Sequence, residues 1–280
     1  MDRRTFIGST TAAALMSRLG WAASEHRIEK IGVQLYTVRD ALLKDYEGTL
    51  AKVASIGYKE VEFAGYFGHI PEFNPSPKRT REILDADGLA APSTHVPYSA
   101  LSPENWPKVL EASKILGHEY IVNPSIDRDV LKQPDGWKRA AETFNRAGAE
   151  SQKAGIQFAY HNHVEEFKPE NGKLPYDILL SESDPTLVKM EMDLGWAHKA
   201  GADPLAYFKK YPGRFPLVHV KDFDKDGNMT EVGRGVVDWK AIFAKADLAG
   251  IKHYFVEHDE PKSPFDSIQT SYQYLKKLHF

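Results

Sequence analysis

From Ile28 to the C-terminus, short apolar runs alternate with longer amphipathic stretches eight times. The runs read as strands Ile31–Tyr36, Glu60–Phe63, Ala90–His95, Tyr120–Asn123, Gln157–His163, Val188–Asp193, Leu217–Lys221 and Tyr254–Glu257. Between them lie helical stretches over Ala41–Ile56, Lys78–Asp87, Pro103–Leu116, Trp137–Lys153, Tyr176–Glu182, Pro204–Tyr211, Asp238–Ala249 and Pro264–Leu278. Gly57, Gly88, Gly117, Gly155 and Gly250 each close a helix just before a strand, where a left-handed residue is needed. Ser102-Pro103 and Asp203-Pro204 open helices with a cap and a proline. Strand–helix units at roughly 30-residue spacing call for a parallel sheet. Eight of them in one chain fit a closed (β/α)8 TIM barrel. The rival is an open doubly wound sheet, which usually carries a glycine-rich phosphate turn after its first strand. Here that strand runs into Thr37-Val38-Arg39, with no such turn.

Four of the later strands end in metal-type ligands. They are Tyr160-His161-Asn162-His163, Met190-Glu191-Met192-Asp193, His219-Val220-Lys221-Asp222 and Val256-Glu257-His258. A parallel barrel brings all its strand C-termini to one face, so these four ends are expected to converge there. The chain has no cysteine, so a metal must rest on nitrogen and oxygen. His161 and His163 lie two apart and share a strand face. Asp193 also suits a plain turn cap, and Glu257 a rim salt bridge.

The N-terminal segment is read as separate from the barrel. Arg3-Arg4-Thr5-Phe6-Ile7, an apolar stretch to Leu19 and small residues at Ala22, Ala23 and Ser24 resemble a twin-arginine export signal spanning residues 1–24. A single barrel domain then covers residues 25–280, and the expected location is periplasmic. Cleavage after Ser24 would take the formal charge from −3 to −5 by removing Arg3, Arg4, Arg18 and Asp2. No membrane anchoring is expected once the signal is gone. An acidic chain without a basic stripe argues against a nucleic-acid partner.

The order of these motifs, with Gly233-Arg234-Gly235 and Asp238-Trp239 between the last two, resembles the xylose isomerase-like barrels of the sugar phosphate isomerase/epimerase superfamily. The resemblance runs from Gly32-Val33-Gln34-Leu35-Tyr36 to Glu257. It implies a divalent ion (Mn²⁺, Co²⁺, Zn²⁺ or Mg²⁺) on a Glu, Asp, His, Glu set. Asp193, His219 and Glu257 match the last three positions. His161 stands where many relatives place Glu, and Glu166 is the alternative first ligand. Imidazole binds the same metals.

The resemblance also implies a small-molecule sugar substrate, and a homodimer is common in the superfamily. Substrate-binding candidates are Glu62, His95, Asn123, Trp196 and Arg234. Base candidates are Glu257, His163, Glu166 and Lys221. A metal-polarised carbonyl makes the neighbouring carbon acidic. Returning the proton elsewhere gives isomerisation or epimerisation of an unphosphorylated sugar or keto-sugar, the leading expectation. Loss of a β-substituent gives a 3-keto-glycoside lyase or hydrolase instead. A periplasmic sugar-binding protein without catalysis is the non-enzymatic alternative.

Overall fold

The computed structural model describes residues 26–65 and 75–280. The residues read as an export signal lie outside these.

Eight parallel strands close into a barrel. They are β1 (Ile31–Gln34), β2 (Glu60–Phe63), β3 (Ala90–His95), β4 (Tyr120–Asn123), β5 (Gln157–His161), β6 (Val188–Asp193), β7 (Leu217–Val220) and β8 (His253–Val256). Closure pairs Ile31 with Tyr254, Gly32 with Phe255 and Val33 with Val256. Gly32 permits this seam, because a Cβ there would lie 2.6 Å from the Phe255 ring.

The strands are buried on both faces, as a helix-covered parallel sheet requires. One face packs outward on the helices, with Val33, Val61, Ile121, Phe158, Met190, Val218 and Val256 in the main core. The other fills the barrel with Tyr120, Val122, Ala159, Leu217 and Phe255. Above this plug, toward the strand C-termini, the interior turns polar.

The predicted helices appear with shifted ends. The first divides into Arg39–Leu42 and Tyr46–Ile56, with Asp45 capping the second through Gly48 N at 2.9 Å. The stretch Asp238–Ala249 divides into Trp239–Phe243 and Ala246–Ala249. After β7 the chain forms a small antiparallel hairpin, Asp222–Phe223 with Met229–Thr230. Its turn is closed by Asp224, whose carboxylate accepts from Asp226 N and Asn228 N, both at 2.9 Å. Among the described residues no helix is long and apolar enough to cross a membrane.

Candidate active site and metal centre

The barrel mouth holds two stacked polar clusters. The period-2 rule places them, since inward positions on successive strands alternate with core positions. The inner cluster contains Gln34 from β1, Glu62 from β2, His95 from β3, His161 from β5, Glu191 from β6 and His219 from β7. All are buried. Glu191 Oε2 lies 2.7 Å from His95 Nε2, 3.1 Å from His161 Nδ1 and 3.2 Å from His219 Nε2. Glu62 Oε2 lies 2.6 Å from His219 Nε2 and 3.2 Å from His95 Nε2, and accepts from Gln34 Nε2 at 2.8 Å. The second oxygens, Glu62 Oε1 and Glu191 Oε1, are buried without a hydrogen-bond partner.

The outer cluster is built around an ammonium. Lys221 Nζ lies 3.0 Å from Asp193 Oδ2, 2.9 Å from Glu257 Oε2 and 2.9 Å from Asp259 Oδ1. It also sits 4.9 Å from the Trp196 ring centroid. His219 joins the clusters, since its Nδ1 lies 2.8 Å from Glu257 Oε2 while its Nε2 faces Glu62 and Glu191. Asp193 divides its two oxygens. Oδ1 accepts from Trp196 N at 2.7 Å and caps the helix Leu194–Lys199, while Oδ2 faces Lys221. Gly195 lets that helix start against the chain just after β7, because a Cβ there would run into the Lys221 carbonyl.

Charge and burial oppose each other throughout. Burial alone would lower the Lys221 pKa, but Asp193, Glu257 and Asp259 outweigh it and raise it. Burial would raise Glu257 and Glu62, yet their cationic neighbours hold both below the usual range: Lys221 and His219 for Glu257, His95 and His219 for Glu62. Burial would lower His95, but Glu62 and Glu191 lift it to about 9. Asp193 is pushed up to about 6 by burial, against the pull of Lys221. His163 falls to about 4 through burial and the nearby Lys221 charge.

A cavity of about 680 Å³ opens above the clusters, a size that suits a small ligand. His95, His161, His163, Trp196, Lys221 and Glu257 all line it. Among the described residues no hydrogen-bonding or ion-pair partner meets the His163 ring nitrogens; the nearest aromatic rings are those of His161 and Trp196, with centroids 4.9 and 6.4 Å away. Tyr36 and Met229 add apolar wall.

Three sequence-derived candidates lie elsewhere. Glu166 folds back in the short turn Glu165–Phe167, where it accepts from Tyr160 Oη at 2.5 Å and from His163 N at 2.8 Å. Both oxygens are thus used away from the cluster, which corrects its roles as ligand and base. Asn123 sits at the outward parity of β4 and donates to the Val96 carbonyl at 2.9 Å. The cavity wall after β4 is Pro124 and Ser125 instead. Arg234 points to solvent and pairs with Glu231 at 3.2 Å. Its loop is fixed by Asp222, which accepts from Gly233 N at 2.9 Å, Gly235 N at 3.3 Å and Trp239 Nε1 at 3.0 Å. The Gly-Arg-Gly and Asp-Trp motifs therefore serve a loop anchor.

Glu191, Gln34 and Asp259 join the site without having been singled out. Glu191 lies two before Asp193 and Asp259 two after Glu257, so strand parity carried the signal for both. Two ligand sets follow from the geometry. Ligand atoms of His95, His161, Glu191 and His219 all lie within 4.8 Å of one another, as do those of Asp193, His219 and Glu257. The orphaned carboxylate oxygens and the imidazole-rich donors fit a divalent ion.

Comparison with known proteins agrees with this architecture. The family model described as xylose isomerase-like TIM barrel matches residues 50–278. A crystal structure of a sugar phosphate isomerase/epimerase from Parabacteroides distasonis superposes with a TM-score of 0.78 at 30% identity, covering 91% of this chain and 98% of that one. Inosose dehydratase from Lacticaseibacillus casei is 27% identical over 163 residues, which is 50% of this chain and 54% of that protein. Inosose dehydratase from Geobacillus thermodenitrificans is 26% identical over 176 residues, 55% and 58% of the two chains. The chain thus spans about half the length of the curated relatives it matches. With eight parallel strands closed into a barrel and the family match running through most of them, the chain belongs to the xylose isomerase-like TIM-barrel family.

Proposed function

We propose that the protein is a lyase acting on a polyhydroxylated ketone, a keto-sugar or keto-cyclitol, from which it eliminates a substituent β to the carbonyl. The observation that carries this reading is that Lys221 and His163 both line the cavity. The first is an ammonium fixed by three carboxylates. The second is an imidazole whose ring nitrogens meet no partner among the described residues.

Elimination next to a ketone needs a group that takes the α-proton and one that steadies the enolate oxygen. His163, neutral at working pH, takes the proton from carbon. Lys221 holds positive charge where the enolate oxygen develops, and its carboxylate partners fix its position. Collapse of the enolate breaks the bond to the β-oxygen. The imidazolium just formed at His163 is a strong acid, because burial and Lys221 disfavour its charge, and it hands its proton to the departing oxygen. His161, His219 and neighbouring carboxylates would hold a divalent ion, which when bound supplies a Lewis acid for the substrate carbonyl. Trp196 offers a flat apolar wall beside Lys221 for the sugar ring.

The inosose dehydratase relatives support elimination over the expected isomerisation, since dehydration of a ketone is this same reaction with water leaving. Isomerisation or epimerisation is the second reading, favoured by the relative with 30% identity. The two share proton abstraction and differ in whether a β-substituent departs. Incubation with 3-keto-glucosides, an inosose and free ketoses separates them. Release of an aglycone or of water supports the lyase. Interconversion of ketoses without such release supports the isomerase and overturns the lyase. Export remains part of the proposal. It rests on Arg3-Arg4 and the small residues to Ser24, and recovery of the chain only in the cytoplasm would remove it.

A further inference from the structure

The mouth offers a metal ion two places, and the two differ in chemistry. Family resemblance pointed to the outer one, His161, Asp193, His219 and Glu257. In this chain that place already has a cation. Lys221 Nζ lies within 3.0 Å of both outer carboxylates, Asp193 and Glu257, and is itself buried. A divalent ion on those oxygens would sit against an ammonium in a low-dielectric interior, where like charges repel strongly.

The inner place has no ammonium: its positive charge sits on the imidazoles of His95 and His219, which give up their protons on taking a metal. Three imidazole nitrogens converge on one oxygen, Glu191 Oε2, at 2.7, 3.1 and 3.2 Å. Two donors on one tetrahedral ion with bonds of about 2.0–2.1 Å stand roughly 3.3 Å apart, so a small expansion of this cluster admits an ion. The ring orientation of His219 fits the same place. Its Nδ1 is 2.8 Å from Glu257 Oε2, and its Nε2 points into the inner cluster. A carboxylate on the far nitrogen is the arrangement that fixes the tautomer of a metal-binding histidine. The unpartnered Glu191 Oε1 and Glu62 Oε1 add spare donor capacity, and Gln34 holds Glu62 in position.

We propose that the protein holds its metal on a nitrogen-rich inner set, His95, His161 and His219 with Glu191, and that Asp193 and Glu257 serve Lys221 instead. Such a set selects Zn²⁺ or Co²⁺ over Mg²⁺. The inference deepens the functional reading by saying which residues carry the ion. It is tested by binding alone, so its failure leaves the lyase assay to stand or fall separately.

The test uses the full chain stripped with a chelator and titrated with Co²⁺ by calorimetry, beside X-ray absorption of the Co²⁺-loaded protein. The expected spectrum shows three imidazoles. His95→Asn and Glu191→Gln are each expected to weaken Co²⁺ binding by about 100-fold. Asp193→Asn should change it by no more than about 3-fold, within the reach of a neighbouring charge. His161 and His219 belong to both places and do not discriminate. Two imidazoles or fewer, or a large loss in Asp193→Asn with little in His95→Asn, overturns the inner site. So does failure of the parent to bind Co²⁺ and Zn²⁺. The imidazole count needs no variant, so a substitution that fails to fold leaves the test decisive.

Discussion

Both ends of this barrel bury a histidine against a carboxylate, and the two ends are built for different purposes. At the base, where the strands begin, His253 Nδ1 lies 2.8 Å from Glu60 Oε2, with Glu119 and Lys30 each at 3.9 Å from the pair. Glu119 and Lys30 are 63% and 68% exposed, so the groups next to this pair are open to solvent. At the mouth, several carboxylates, three histidines and a lysine are buried together, and two carboxylate oxygens lack partners. The base is one hydrogen-bonded pair, His253 Nδ1 with Glu60, whose further neighbours reach solvent, and in it only His253 Nε2 is buried without a hydrogen-bond partner. The mouth is an excess of donors and charges that solvent does not neutralise, which is the condition of a site that binds something.

The largest expected contrast comes from removing the central charge of the mouth. Lys221→Met leaves Asp193, Glu257 and Asp259 facing one another in the interior. Breaking one side of a buried ion cluster costs about 3–5 kcal/mol. Urea unfolding should show that loss, and turnover should fall by about 1,000-fold. A variant as stable and active as the parent would erase the distinction between the two ends.

The base carries the clearest pH effect. His118, beside Gly117 just before β4, is buried, and burial followed by the Arg81 charge lowers its pKa to about 3. The folded protein thus refuses a proton that the unfolded chain accepts below about pH 6.5. Stability on this account is full above pH 6.5 and falls as the pH drops toward 3. The expected loss is about 2 kcal/mol between pH 6.5 and 5. Unfolding midpoints of the parent and His118→Gln at both pH values check this. Parallel pH dependences in the two proteins would contradict it.

The smallest effect is expected at the base pair itself. His253→Leu should cost about 1–2 kcal/mol through the buried Glu60 oxygen left short of a donor. Turnover should stay within about 2-fold of the parent, because the variant lies at the end of the barrel away from the cavity. A large loss of turnover with intact folding would mean that chemistry extends through the barrel.

Much of this was legible in the sequence, and the misses have local causes. The period-2 rule and helix-closing glycines located all eight strands, and the strand ends brought His161, Asp193, His219 and Glu257 to one face. Asn123 went astray because the rule fixes alternation along β4 but not which face is inward. That depends on packing of Tyr120 and Val122 inside the barrel. Glu166 went astray because a tight turn after β5 returns it to Tyr160. Arg234 did so because Asp222 gathers the loop's backbone donors and leaves its side chain outside. Glu191 shared the face of Asp193 from the start, but its depth in the barrel emerges only when β3, β5 and β7 bring three histidines around it.

In the proposed reaction the mouth removes a proton beside a ketone and expels the β-substituent. Proton NMR of a 3-keto-glucoside with the metal-loaded protein in D₂O tests it most directly. The α-proton signal is expected to disappear together with release of the aglycone, and neither event is expected in His163→Ala. An intact glucoside that keeps its α-proton under those conditions would contradict it.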